Sequence, residues 1–263
     1  MTTVADLCAF LDSFAPPALA ADWDNVGLLV GDRAQKVERV MTCLTITPSV
    51  AAEAIRERAD LIVTHHPLPF RPLKRITADE PAGRILLDVI RAGMAIHSPH
   101  TAFDSASAGI NQQLAEGLGL MQIQPLEPAE GLAAGLGSGR WGVLPQSQTL
   151  GQLAARLKQF LKISGLHAVG NLQAPIGRVA VACGSAGEFL EVAIERGCQM
   201  LVTGETRLHT CYDAEARGVA LLLAGHYASE RFGVDRLAAV LGAQFPELTV
   251  WASSDEADPI RWL

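Results

Sequence analysis

The chain has 263 residues, 49% of them hydrophobic and 19% charged, and its formal net charge is −7. This length and apolar content predict one large or two small globular domains with a buried core. We expect neither a signal peptide nor a membrane span, which needs roughly 18 consecutive apolar residues, and the acidic balance argues against nucleic acid as the main partner.

The first predicted element is a strand at residues 26–30. Farther along, the chain contains an internal repeat, because residues 39–66 align without a gap with residues 178–205. Each copy has the pattern of a strand, a turn, a helical stretch and a second, buried strand. The predicted strands are residues 40–44 and 61–64 in the first copy, and 179–183 and 200–203 in the second.

Both copies continue in the same order, with a helix, a strand that begins at a glycine, and an amphipathic helix. These elements are predicted at residues 83–92, 93–96 and 106–118 in the first copy, and at 209–217, 218–222 and 229–241 in the second. This order predicts the α/β class, with two related α/β lobes, largely parallel sheets and a metal cleft between the lobes.

A segment rich in glycine and proline separates the two copies. We therefore expect a first lobe at residues 1–125, a connector at 126–148 and a second lobe at 149–263. Within the connector, residues 135–139 read Gly-Leu-Gly-Ser-Gly. This stretch indicates either a flexible link or a phosphate cradle, although its spacing matches neither standard phosphate loop.

Histidines and acidic residues follow the buried strands of both copies, at the sheet edge where α/β proteins gather their ligands. They are His65, His66, His100, Asp104, Glu205, His226 and Glu230. The pair His65-His66 is the clearest signal, because neighbouring side chains on a strand diverge unless the chain turns at once. Glu205 occupies the place of His66 in the repeat.

Imidazole and carboxylate donors together suit Zn, Fe(II), Mn or Ni. The five cysteines are scattered without a Cys-x-x-Cys pair, which predicts reduced core thiols in a cytoplasmic protein and argues against a structural zinc cage. A single catalytic zinc needs fewer ligands, so the set fits two divalent metals bridged by a carboxylate and a water. Such a pair activates water near neutral pH, and hydrolysis is the expected reaction class.

The roles of several of these residues stay open. His226 and Glu230 fit a metal site or a surface hydrogen bond on one helix face. Glu205 fits a general base, a group that orients a ligand, or a structural salt bridge. Either His97 or His100 is expected to line the cleft as a proton shuttle or hydrogen-bond donor, and His97 alternatively fits a buried strand position.

Two further groups have alternative interpretations. Asp24 or Asn25 is a candidate for orienting a ligand histidine, or this segment simply begins the first strand. Arg71, Lys74 and Arg75 form either a solvated loop or a contact for a substrate phosphate.

Five motifs occur in order along essentially the whole chain. They are Asp-Trp-Asp-Asn-Val-Gly-Leu at residues 22–28, Thr-His-His-Pro-Leu at 64–68, Ser-Pro-His-Thr-Ala-Phe-Asp at 98–104, Thr-Gly-Glu at 203–205 and Gly-His-Tyr-Ala-Ser-Glu-Arg at 225–231. With them the chain resembles the Nif-three-like dinuclear-metal proteins, also called GTP cyclohydrolase I type 2 homologues. The resemblance implies metal ligands at His65, His66, Asp104, His226 and Glu230. It also implies a homohexamer, a toroid built as a trimer of dimers, with its metal sites facing an inner cavity.

The first functional prediction is a hydrolase with two divalent metals per subunit, acting on a nucleotide-like or phosphorylated small molecule. In the GTP cyclohydrolase version, hydroxide attacks C8 of guanine, and His100 or Glu205 moves protons. The alternative is a non-catalytic metal-binding or metal-delivery scaffold that acts through partners. Nucleic acid threading through the toroid is the least favoured function, because the net charge is −7.

Overall fold

Strands and helices alternate along most of the chain, which confirms the α/β class. A computed structural model describes residues 1–261. The helices are α1 (Val4–Phe14), α2 (Pro48–Arg56), α3 (Pro81–Arg91), α4 (His100–Ser105), α5 (Ile110–Gly117), α6 (Leu150–Leu161), α7 (Leu190–Glu195), α8 (Leu208–Ala216) and α9 (His226–Gln244). The strands are β1 (Gly27–Val30), β2 (Arg39–Cys43), β3 (Leu61–Thr64), β4 (Ala95–Ser98), β5 (Met121–Gln124), β6 (Glu127–Pro128), β7 (Gly137–Ser138), β8 (Arg140–Thr149), β9 (His167–Val169), β10 (Pro175–Ser185), β11 (Met200–Glu205), β12 (Ala220–Leu223) and β13 (Thr249–Ala252). Within residues 1–261, no helix has both the length and the apolar character needed to cross a membrane.

These residues divide into two compact units. Unit 1 consists of Met1–Phe103 and Gly233–Ala257, and unit 2 contains Asp104–Phe232 and the segment from Asp258. The bounds differ from those of the predicted lobes, because the late strand β13 pairs with β2 in unit 1, whereas α5 and β5 belong to unit 2. A local apolar pattern predicts a strand but does not specify which distant strand becomes its neighbour.

Unit 1 contains a five-stranded sheet in the order β1-β4-β3-β2-β13, in which only β1 is antiparallel to its neighbour. Strand β3 is buried along its whole length, as the continuous apolar run of a parallel strand predicts. Helices α2 and α3 pack in the core of this unit, where Val50, Ala54, Leu86 and Val89 are buried with Ile62 of β3. Because β3 and β4 are parallel, their carboxyl ends lie at the same edge of this sheet. The predicted histidines follow these strand ends.

Unit 2 contains a six-stranded sheet in the order β5-β8-β10-β11-β12-β9. The central strands β10, β11 and β12 are parallel, while β5, β8 and β9 pair antiparallel. The expectation of a largely parallel sheet is therefore correct for the centre of this sheet and wrong for its outer strands.

The glycine-rich segment is built into unit 2, because β6, β7 and most of β8 lie within the predicted connector. Arg140 is only 1% exposed and donates hydrogen bonds of 2.6 Å to the carbonyls of Gly137 and Gly139, and of 2.7 Å to that of Ala106. A phosphate cradle requires convergent N–H groups, whereas carbonyl oxygens converge here on a guanidinium. These contacts therefore argue against the phosphate-cradle alternative for residues 135–139.

Equivalent strand pairs in the two units share one register. In unit 1, Val40 of β2 lies opposite Leu61 of β3, and in unit 2, Val179 of β10 lies opposite Met200 of β11. Both pairs are parallel, and each member lies 139 positions from its counterpart. The common register supports the internal repeat, which itself stays a prediction.

Two of the predicted helices begin earlier in the structure. The helix expected at residues 106–118 is divided into α4 and α5, so that His100 and Asp104 both lie on α4. The helix expected from residue 229 begins at His226, which places His226 and Glu230 four positions apart on one face of α9.

Candidate metal centre

Three histidines cluster in unit 1. His65 and His66 directly follow β3, and His100 is the first residue of α4, after β4. Each offers one ring nitrogen, and these nitrogens lie within 4.8 Å of one another. The rings of His65 and His66 do not diverge as strand neighbours would, because the chain turns after Thr64 and leaves their centroids 5.1 Å apart. The turn converts a strand pair into one cluster of donors.

Oxygen atoms orient two of these imidazoles. Nδ1 of His66 lies 2.7 Å from Oγ1 of Thr45, and Nδ1 of His100 lies 2.7 Å from Oδ1 of Asp24. Burial tends to raise the pKa of Asp24, but hydrogen bonds from His100 and Thr101 outweigh it and lower that pKa to about 2. Asp24 is therefore ionised near neutral pH. An oxygen at Nδ1 fixes the imidazole so that Nε2 is directed toward a metal, which is the usual arrangement for histidine ligands.

A second group of donors lies in unit 2, at the start of α9. Nε2 of His226 lies 3.3 Å from Oε2 of Glu230, and its Nδ1 lies 2.9 Å from Oε1 of Glu205. The contact with Glu230, followed by that with Glu205, raises the pKa of His226 to about 9 although burial opposes the shift. The carboxylates that hold this proton would also attract a divalent cation, which must compete with the proton for Nε2.

Two other residues of unit 2 form hydrogen bonds with Asp104. The Cys183 thiol donates a hydrogen bond of 3.1 Å to Oδ1 of Asp104, and the Asn111 side chain donates one of 3.2 Å to the Asp104 carbonyl. Burial, together with the charges of Asp104 and Glu230, raises the pKa of Cys183 well above its usual value. Cys183 is therefore a protonated donor that fixes Asp104, a role beyond the inert core thiol that the sequence predicts.

The structure assigns different surroundings to the residues whose roles were open. His100 joins the histidine cluster, whereas His97 is 2% exposed on β4 and lies 3.8 Å from Asp12. Burial lowers the pKa of His97 to about 4, so it is a neutral core residue near pH 7. Glu205 contacts His226, which favours the orienting role over that of a general base.

Thr45 is an orienting residue that the sequence reasoning missed. It lies two residues beyond the end of β2, at the same sheet edge as the histidines. This position after a strand is the feature of the sequence that could have indicated a role for Thr45. The histidine cluster of unit 1 and the His226–Glu230 pair of unit 2 each offer donors that suit a divalent transition metal. Three of these imidazoles meet an oxygen at Nδ1, which is typical of histidine ligands.

Comparison with known proteins identifies the family of this chain. The family profile Duf34/NIF3 (NGG1p interacting factor 3) matches residues 2–259. The chain belongs to the DUF34/NIF3 family. Its resemblance to the Nif-three-like proteins is thereby confirmed, and the five motifs that carried it lie within the matched residues.

Two DUF34/NIF3 relatives illustrate the similarity in sequence. The "GTP cyclohydrolase 1 type 2 homolog" of Clostridium acetobutylicum is 37% identical over 227 residues, which is 86% of this chain and 85% of that protein. The "NIF3-like protein 1" of Drosophila melanogaster is 31% identical over 254 residues, covering 95% of this chain and 86% of that protein.

A solved structure shows the same fold. The Staphylococcus aureus hypothetical protein SA1388 superimposes with a TM-score of 0.91 at 28% identity, covering 99% of each chain. The α/β architecture described above is thus that of a DUF34/NIF3 protein.

Proposed function

We propose that this protein is a hydrolase with two divalent metals, whose ligands are His65, His66, Asp104, His226 and Glu230. The observation that carries the proposal is the histidine cluster of unit 1, in which Asp24 and Thr45 orient two of the three imidazoles. Structural histidines in a core do not need to share one small space with their ring nitrogens directed together, whereas metal ligands do.

We assign proton transfer and the orientation of ligands to the surrounding residues. Divalent metals bound to these donors would supply Lewis acidity toward a substrate oxygen and a nucleophilic water at neutral pH. His100 is the candidate for proton transfer, because the ionised Asp24 holds its Nδ1 and fixes the ring beside His65 and His66. Glu205 orients His226, and Cys183 fixes Asp104.

A nucleotide is the substrate class that we propose, with GTP as the first compound to test. Similar proteins are named "GTP cyclohydrolase 1 type 2 homolog", and imidazole groups suit proton transfer at a heterocycle. We expect protein loaded with Zn, Mn, Fe(II) or Co to release formate from GTP. A panel of phosphoesters would test the wider hydrolase class.

Metal content beside activity provides the decisive measurement. His65→Ala and Glu230→Ala should each lower the bound metal and the turnover together, because each removes one donor. His209→Ala is the matched control, since His209 is an exposed histidine on α8. Unchanged metal content in both ligand variants would refute the ligand assignment. Bound metal without turnover of any substrate would replace the hydrolase with a metal-binding or metal-delivery scaffold.

A further inference from the structure

Two exposed aromatic rings lie beside the histidine cluster of unit 1. Trp23 is 65% exposed and Phe70 is 46% exposed, and their ring centroids are 6.0 Å apart. Both rings also approach His100, at centroid distances of 5.9 Å for Trp23 and 6.1 Å for Phe70. A large apolar surface thus faces solvent next to the residue that we propose moves the proton.

The exposure of these rings does not come from unanchored loops. Asp24, which follows Trp23, accepts hydrogen bonds from His100 and from the Thr101 backbone. The Asn25 side chain donates a hydrogen bond of 2.8 Å to the carbonyl of Pro69, the residue before Phe70. The two loops are therefore tied to each other and to the histidine cluster, so the backbone that carries the rings is fixed before any ligand arrives.

The loop that follows Phe70 in the chain carries positive charge. Arg71, Lys74 and Arg75 are exposed, and among the described residues none of them forms an ion pair with a carboxylate. In a chain with a net charge of −7, three cations within five residues of Phe70 are a local feature that favours an anionic ligand.

We propose that Trp23 and Phe70 form a stacking surface for the planar heterocycle of the substrate, and that Arg71 and Lys74 bind its phosphates. Aromatic side chains stack on any nucleobase because every base has a π face, and cationic side chains add affinity for phosphate. This inference rests on the proposed function, and it identifies the substrate as a nucleotide bound by both its base and its phosphates. It also gives the three neighbours Trp23, Asp24 and Asn25 distinct roles: stacking, orienting His100 and joining the two loops.

Equilibrium binding to the metal-loaded protein tests the inference with three probes: GTP, guanosine and inorganic tripolyphosphate. Trp23→Leu and Phe70→Leu should each weaken GTP and guanosine binding about tenfold and leave tripolyphosphate unchanged. Arg71→Ala and Lys74→Ala should weaken GTP and tripolyphosphate but not guanosine. Trp23→Phe should restore most of the affinity, because it keeps an aromatic face.

Tyr212→Leu is the matched control, because it removes a ring that is 60% exposed in unit 2. Metal content should stay the same in every variant, which separates loss of stacking from loss of the metal site. Ring-dependent binding without turnover would support this inference while the proposed hydrolase fails. Unchanged guanosine and GTP affinities in the Trp23 and Phe70 variants would overturn the inference even if the protein hydrolyses GTP, and so would the absence of guanosine binding to the unaltered protein.

Discussion

Gly184 is a position in unit 2 that has no room for a side chain. A Cβ atom there would lie 2.4 Å from Oε1 of Glu230 and 3.4 Å from Nε2 of His226. The Gly184 N–H also donates a hydrogen bond of 2.9 Å to the Ser229 hydroxyl, and its φ of +68° lies in the left-handed region. Glycine at this position therefore lets the backbone of β10 approach both proposed ligands on α9.

We predict that Gly184→Ala lowers metal affinity by at least about tenfold, because the added methyl group displaces the Glu230 carboxylate. Gly218→Ala is the matched control, since Gly218 has a φ of +71° and no atom within 4 Å of the added Cβ. Both variants should lose about 1 kcal/mol of stability through the left-handed backbone, and only the first should lose metal. Competition with a chelator measures the affinities, and equal values for the two variants would contradict the prediction.

The proposed ligands were easier to predict than the groups that orient them. His65-His66 and the His226–Glu230 spacing are local patterns, visible within a few residues of chain. Thr45 and Cys183 lie 21 and 79 residues from the side chains they contact, His66 and Asp104. Such contacts depend on which strands become neighbours, and periodicity does not specify that.

The segment that follows β13 is tied to unit 1 by a buried carboxylate. Glu53 of α2 is 2% exposed and accepts hydrogen bonds from the Ser253 hydroxyl and from the backbone of Ser254 and Asp255, both at 3.0 Å. Burial alone would raise the pKa of Glu53, but these hydrogen bonds lower it to about 2. Glu53 thus anchors the strand that completes this sheet.

Because the pKa of Glu53 is lower in the folded protein, its contribution to stability is present above the ordinary pKa of 4.5 and is lost as the pH falls toward 2. We predict that the difference in unfolding free energy between the unaltered protein and Glu53→Gln shrinks over this window, by at most about 3 kcal/mol. Denaturant unfolding of chelator-treated protein between pH 7 and pH 3 measures it.

Glu57→Gln is the control for the Glu53 variant, because its side chain at the end of the same helix is 43% exposed. A Glu53→Gln difference that stays constant down to pH 3 would show that the hydrogen bonds do not favour the ionised form.

At the level of elements, the order of strands and helices along the chain was largely predictable. Which strands form the edges of each sheet was not. The parallel pairs β2–β3 and β10–β11 follow from apolar runs of four to six residues separated by helices. The pairing of β13 with β2 places Thr249 opposite Arg39, about 210 positions earlier in the chain. No local sequence pattern predicts a pairing over this distance.

At the scale of the whole molecule, the homohexamer stays a prediction of the family resemblance, and sedimentation velocity would measure it. If the chain self-associates through unit 1, we expect the contact to bury exposed apolar side chains such as Ile55 and Ile90, which are 42% and 49% exposed.

Metal binding should stabilise the folded chain if both units contribute ligands. A ligand that binds only the folded state adds about 2.7 kcal/mol of stability at 100 times its Kd. We therefore predict that Zn or Mn raises the Tm of the unaltered protein and of His209→Ala by the same amount. The rise should be much smaller in both His65→Ala, a change in unit 1, and Glu230→Ala, a change in unit 2. Calorimetry with and without metal measures the shifts in Tm. A full shift that survives either ligand substitution would mean that the ligands of one unit alone account for the metal-dependent stability.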